Sequence, residues 1–98
     1  MSVFHKSTNW ERKRVRILKR DEYRCQECKR YGKTTAANIV HHIYPIELRP
    51  ELRLYSINLI SLCFKCHNEM HDRITDKLTT KGLQWVERIK DKIPPTLD

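Results

Sequence analysis

Two matched cysteine pairs, Cys25-Gln26-Glu27-Cys28 and Cys63-Phe64-Lys65-Cys66, do most to constrain this chain. A Cys-x-x-Cys turn presents two thiolates to one cation at tetrahedral angles, and two such turns complete a closed four-sulfur zinc site. Four thiolates leave no coordination position open, so the expected role is structural. The pairs stand 34 residues apart, and the segment between them must fold as an excursion of loop and strand. A redox Cys-x-x-Cys is one competing reading, but that motif belongs at a helix start in a βαβ context, which the first pair lacks. Cysteines that merely pack are the other, and packing gives no reason for two pairs of equal spacing. A chain of 98 residues builds one modest core, and a metal staple is a common supplement at that size.

The pattern around the pairs predicts a single domain over residues 1–98. Residues 1–9 read as a flexible arm, 10–72 as the core that carries the motifs, and 73–98 as a helical extension. Thr8, with Glu11 three residues on, has the spacing of a capping box. The helix it opens runs to about Arg20, with Trp10, Arg14, Ile17 and Leu18 near one face, and Asp21-Glu22 ends it. Residues 38–44 and 58–63 read as strands. Residues 46–57 read as a loop, and Gly32 as a turn residue. A helix after Cys63 is predicted to carry His67 and His71. Thr80-Lys81-Gly82 breaks the pattern. Residues 83–92 then form an amphipathic helix with Leu83, Val86 and Ile89 on one side, stopped by Pro94-Pro95.

The formal net charge is +8, and it is uneven. Met1 to Lys33 holds eleven Lys or Arg against four Asp or Glu. A basic N-terminal third points to a polyanionic partner, nucleic acid first among them. The bland reading is a solvated helix face. No apolar run approaches the ~20 residues that span a bilayer, so no membrane partner is expected. Met1 to Asn9 has no apolar stretch like that of a secretory signal. The expected location is the cytoplasm.

Five histidines occur. His5 falls in the arm. His41 and His42 are adjacent on a strand and so face opposite sides, free to take different jobs. His67 and His71 are four apart and would share one helix face. Taken singly each has a plainer reading: His67 as a cap of the second knuckle, His71 as a solvated helix residue, Asn58 as a turn residue. Their joint placement around two knuckles is what argues for chemistry.

The string Val40-His41-His42-Ile43-x-Pro45, then Asn58-Leu59-Ile60-x-Leu62-Cys63-x2-Cys66-His67-Asn68-x2-His71, resembles the HNH endonuclease family. The opening Trp10, then Leu18-Lys19-Arg20-Asp21-x-Tyr23-x-Cys25-Gln26-x-Cys28, looks like its zinc-bearing, phage-type members. The resemblance spans roughly residues 10–72. It implies an α+β, zinc-stapled fold: a ββα-metal (HNH, or His-Me finger) core with an N-terminal and a C-terminal helix. It implies His42 as general base, and Asn58 as the residue that bonds backbone and holds the base-bearing loop. His67 matches a metal ligand, His41 sits where a ligand is expected, and His71 is a ligand in some members only. Many members have Asp at the position of His41. An imidazole there makes the site less anionic and should weaken Mg²⁺ relative to Mn²⁺, Ni²⁺ or Zn²⁺. The implied products are a 5′-phosphate and a 3′-hydroxyl. A phage origin would place the chain in a host cytoplasm, with DNA packaging beside a terminase as one conceivable role.

The chemistry can be stated without the family. Phosphodiester hydrolysis needs an activated water, neutralised transition-state charge and help for the leaving oxygen. A histidine of pKa about 6.5 suits the base role, a contribution typically worth ~10²–10⁴-fold. The expected substrate is double-stranded DNA. Arg12, Lys13, Arg16, Lys19 and Arg20 would track its phosphates, with Lys65 and Arg73 near the scissile region. A non-catalytic zinc module that binds nucleic acid is the alternative, but it leaves His41, His42, Asn58 and His67 without a joint purpose. A protein adaptor docking through helix 83–92 could coexist with either.

Overall fold

The computed structural model describes residues 7–93. They form helices α1 (Thr8–Arg20), α2 (Gln26–Arg30), α3 (Phe64–Asn68) and α4 (Thr80–Ile89), and strands β1 (Ile39–His42) and β2 (Leu59–Leu62). Single 3-10 turns occupy Pro50–Leu52, Ser56–Asn58 and Lys90–Lys92. His5, most of the predicted arm and the Pro94-Pro95 stop lie outside the described residues.

α1 begins one residue earlier than predicted, at Thr8 itself, with Ser7 as its cap. Ser7 is extended, and its Oγ accepts from the Trp10 N–H at 3.1 Å. Thr8 and Asn9 are therefore helical rather than part of an arm. The helix ends at Asp21, after which Glu22 and Tyr23 both turn left-handed, at φ 57° and 56°. A helix of 13 residues so rich in charge is marginal alone. Burial of Trp10, Ile17 and Leu18, worth about 1.5–3 kcal/mol for each large apolar side chain, holds it on the sheet. Its C-terminal end is also tied down. The Asp21 carboxylate accepts from the Ser61 N–H at 3.0 Å, and the Arg20 guanidinium donates to the carbonyls of Ser56 and Leu59 at 2.8 and 2.6 Å.

β1 and β2 pair antiparallel, with His41 opposite Ile60 and His42 opposite Leu59. Both strands are shorter than predicted, because Asn58 belongs to a 3-10 turn and the chain bends after His42. Two four-residue strands do not stand alone. All four residues of β2 are buried, with α1 and α2 packed against it. Gly32 sits in the predicted turn at φ 75°.

Three helical predictions need correction. The first knuckle, read as standing clear of a helix start, opens α2, with Cys25 as its cap. The helix after the second knuckle spans only Phe64–Asn68, so His71 is not on it. His71 instead pairs with Leu78 in an isolated antiparallel bridge. Thr80-Lys81-Gly82 does not break a helix; it is the first turn of α4. Thr79 caps it, its Oγ1 accepting from the Gly82 N–H at 3.2 Å. A Cβ at Gly82 would lie 2.5 Å from the Met70 carbonyl oxygen. That contact puts Gly82, Ile89 and Ile93 inward and leaves Leu83 about half exposed, at 52%. Among the described residues no helix is long and apolar enough to cross a membrane.

Candidate functional site

The two knuckles meet. The Sγ atoms of Cys25, Cys28, Cys63 and Cys66 all lie within 4.8 Å of one another. Tetrahedral zinc–sulfur bonds of about 2.3 Å require sulfurs about 3.8 Å apart, and those of Cys28 and Cys66 are 3.7 Å apart. The donor chemistry and the spacing thus fit one closed, thiophilic cation. Burial pushes the Cys25 and Cys66 thiols up, whereas the Thr35 side chain draws the Cys28 thiol down. A bound cation is what would make four thiolates acceptable in such a place.

Glu27, between the first two cysteines, is 1% exposed. Its carboxylate accepts from Trp85 Nε1 at 3.0 Å and from the Arg30 guanidinium at 3.1 Å. α4 is thereby latched to the knuckle from outside the motif-bearing segment.

Three histidines gather around β1 and α3, where His67 directly follows Cys66. His41 is 2% exposed, with ring centres of His67 and His71 each 5.5 Å from its own. The His67 and His71 rings are 6.5 Å apart. Two imidazoles on one tetrahedral ion place their ring centres roughly 5.3 Å apart, given metal–nitrogen bonds of about 2.1 Å. The trio is thus slightly open; among the described residues only the cysteine quartet brings every donor atom within 4.8 Å. His41 Nε2 is buried and meets no hydrogen-bond partner, which fits a lone pair meant for a cation. Burial, then the neighbouring His67 and His71, push the His41 pKa down to about 3. Burial, then His71, also lower that of His67. Both rings therefore stay neutral and able to ligate at neutral pH. His71 Nδ1 lies 3.4 Å from the Asp76 carbonyl oxygen. A carbonyl only accepts, so Nδ1 carries the proton and Nε2 the lone pair. His71 joins the trio by way of this turn, although the helix meant to bring it there is absent.

His42 faces away from that trio, as strand alternation requires, and stacks on Trp10 with ring centres 4.8 Å apart. Its Nε2 is 3.0 Å from the Arg53 carbonyl oxygen. By the same logic Nε2–H is the donor and Nδ1 is the basic nitrogen. Asn58 is fully buried. Its Oδ1 accepts from the Tyr44 N–H at 2.7 Å, and its Nδ2 donates to the carbonyls of Tyr44 and Leu52 at 3.2 and 3.3 Å. One amide thus fixes the chain just after His42 and the turn just before Arg53.

One cleft of about 550 Å³ takes in His41, His42, His67 and His71 together with Trp10, Arg14, Asn38, Glu47 and Asp76. A second hollow joins His67 and His71 to Arg73. Arg12, Lys13 and Arg16 line a separate hollow on α1. Lys19 and Lys65 are exposed. Arg20 is engaged internally, as described above. Sequence reasoning missed Arg14 and Asp76. Arg14 falls on the same stripe as Trp10 and Ile17 and reads as part of the packing face. Asp76 sits in a turn at φ 60° that no motif marks.

The HNH endonuclease family pattern matches residues 25–73. The crystal structure of an HNH endonuclease with manganese ion, from the deep-sea thermophilic bacteriophage GVE2, is similar to this chain. Identity is 46% and the TM-score 0.65, over 66% of this chain and 71% of that one. No curated protein matches.

Proposed function

From the premise that the chain belongs to the HNH endonuclease family, we propose that it hydrolyses phosphodiester bonds of double-stranded DNA. The observation that carries the proposal is the single cleft shared by His42 and the trio His41, His67 and His71. His42 is the general base. Its Nε2–H is held by the Arg53 carbonyl, so Nδ1 takes the proton of the attacking water. A hydrogen bond to a carbonyl steadies the ring and raises its basicity. Asn58 sets the two backbone segments that fix this ring. His41, His67 and His71 would hold one divalent ion, His71 oriented by Asp76. When bound, that ion supplies charge neutralisation at the phosphate and at the leaving 3′ oxygen. Cys25, Cys28, Cys63 and Cys66 would hold a structural zinc.

An all-imidazole set favours Mn²⁺, Ni²⁺ or Zn²⁺ over Mg²⁺, and the phage relative was crystallised with manganese. Arg12, Lys13, Arg16 and Lys19 carry flanking phosphates, with Lys65 and Arg73 closer to the cut. A phage source, like that of the relative, would place the chain in a host cytoplasm, and DNA packaging beside a terminase is the role proposed there.

The test is nicking of supercoiled plasmid under each metal, beside His42→Ala. Wild type should nick, best with Mn²⁺ or Ni²⁺, while the variant keeps its zinc and its DNA binding but loses cleavage. DNA binding with no cleavage under any metal would instead support the non-catalytic zinc module. A variant that unfolds would make His42 structural.

A further inference from the structure

We propose that Arg14 contacts the scissile phosphate itself and is a catalytic residue of this site. The assignment rests on the phosphodiesterase reading above. Of the described residues that line the histidine cleft, Arg14 is the sole Lys or Arg; two others, Glu47 and Asp76, are acidic. A phosphodiester entering the cleft is already an anion, and its transition state gathers further charge on the nonbridging oxygens. Something in the walls must offset two carboxylates.

The guanidinium is held in place for that task. One N–H donates to the Asn38 carbonyl at 3.0 Å, and Asn38 immediately precedes β1, the strand that carries His41 and His42. The fork is thus referenced to the same strand as the catalytic imidazoles. Its other contact is Glu11 at 3.6 Å, an exposed pair with 58% of the glutamate side chain in solvent. Such pairs are worth little, so the Glu11 contact leaves the charge available. A guanidinium has five N–H donors in a planar fork that matches a phosphate bidentately. One donor is taken by Asn38, and the rest of the fork can face a ligand.

The neighbouring cations do a different job. Lys13 donates to Ser56 Oγ at 2.5 Å, and Arg12, Lys13 and Arg16 line a hollow away from the histidines. One turn of α1 therefore splits its charge. Arg14 enters the cleft, and the others remain outside for the flanking backbone.

The experiment uses zinc-replete protein with Mn²⁺ and two substrates, supercoiled plasmid and the small diester bis(p-nitrophenyl) phosphate. The small diester has no flanking phosphates. Arg14→Ala should lower kcat on both by about 10²-fold, as removal of one transition-state donor does, with little change in plasmid KM. Added guanidinium chloride should restore part of that loss in Arg14→Ala and none in His42→Ala. If Arg14→Ala does not fold, Arg14→Lys carries the test. With its melting temperature unchanged it should still lose about tenfold on the small diester, since an ammonium cannot replace a fork. A wild-type rate on the small diester, or a loss that guanidinium leaves untouched, overturns the assignment and spares the nuclease reading. A wild type that cleaves neither substrate overturns the nuclease reading, and the assignment with it.

Discussion

Asn58 makes three side-chain hydrogen bonds from a position with no exposure at all. Truncation to alanine strands the Tyr44 N–H and removes one of two hydrogen bonds from the Leu52 carbonyl, which keeps the Tyr55 N–H at 3.0 Å. A stranded donor costs about 1–3 kcal/mol and each further lost hydrogen bond about 0.5–1.5 kcal/mol, so Asn58→Ala should lose about 2–4 kcal/mol in a denaturant titration of zinc-loaded protein. Asn58→Asp separates two roles that alanine cannot. A carboxylate still accepts from the Tyr44 N–H, but it now faces two carbonyl oxygens with no proton to give. We expect Asn58→Asp to be at least as destabilised as Asn58→Ala, despite its nearly equal volume. A stability close to wild type would mean that filling the space, rather than donating from Nδ2, is what this residue does. Because Leu52 adjoins Arg53, whose carbonyl holds His42, either variant should also lower kcat at temperatures where it remains folded.

The elements show where reading a sequence succeeds and where it stops. α1 was legible because its apolar residues repeat at the helical period, and β1 and β2 because each is a short apolar run. Opposite facing of His41 and His42 followed from the strand alone. The cysteine quartet was legible from spacing. Three features were not. His71 reaches the trio through a turn closed by Asp76, and the i, i+4 argument that grouped it with His67 was right in outcome but wrong in mechanism. Arg14 sits on an apolar stripe, where periodicity assigns it to the core. The start of α4 was hidden because glycine and threonine usually mark a break, whereas here Gly82 is needed for close approach. That need is testable. In Gly82→Ala the new methyl would meet Met70 backbone at 2.5 Å and Leu78 Cδ2 at 2.9 Å. Glycine in a helix interior ordinarily yields stability to alanine, by roughly 0.5–1 kcal/mol. The clash reverses the sign, because overpacking against backbone costs about 1–3 kcal/mol. We expect Gly82→Ala to melt lower, and to loosen the Trp85–Glu27 contact, readable as a change in tryptophan fluorescence. A higher melting temperature would mean that α4 shifts to accommodate the methyl.

At the scale of the whole molecule, the proposed zinc and one charge pattern set the expected behaviour. Closed zinc sites contribute about 10–16 kcal/mol in small peptides, as much as or more than the ~5–15 kcal/mol that holds an entire domain. The cysteine quartet joins α2, the end of β2 and the start of α3, and the Trp85–Glu27 bond ties α4 to the same knuckle. Strong chelators should therefore unfold the chain as a unit, seen as simultaneous loss of helical circular dichroism and DNA binding, with recovery on adding Zn²⁺. Retention of the fold in metal-stripped protein would show that the apolar core suffices. The cations make a separate prediction, because most face solvent while Arg20 braces the fold, and Lys13, though bonded to Ser56 Oγ, lines the same hollow as Arg12 and Arg16. Arg12, Lys13, Arg16 and Lys19 on α1, with Lys65 and Arg73, offer roughly six phosphate contacts. Each contact contributes about −0.9 to the slope of log affinity against log salt, so that slope should be about −5. Alanine at any of these residues should make it shallower by about one. Arg20 belongs to the same helix and carries the same charge, yet its guanidinium is committed to Asp21 and to the carbonyls of Ser56 and Leu59. Arg20→Ala should lower the melting temperature while leaving the salt slope where it was. If it instead flattens the slope and spares stability, the brace is incidental and α1 lies on the duplex along its full length.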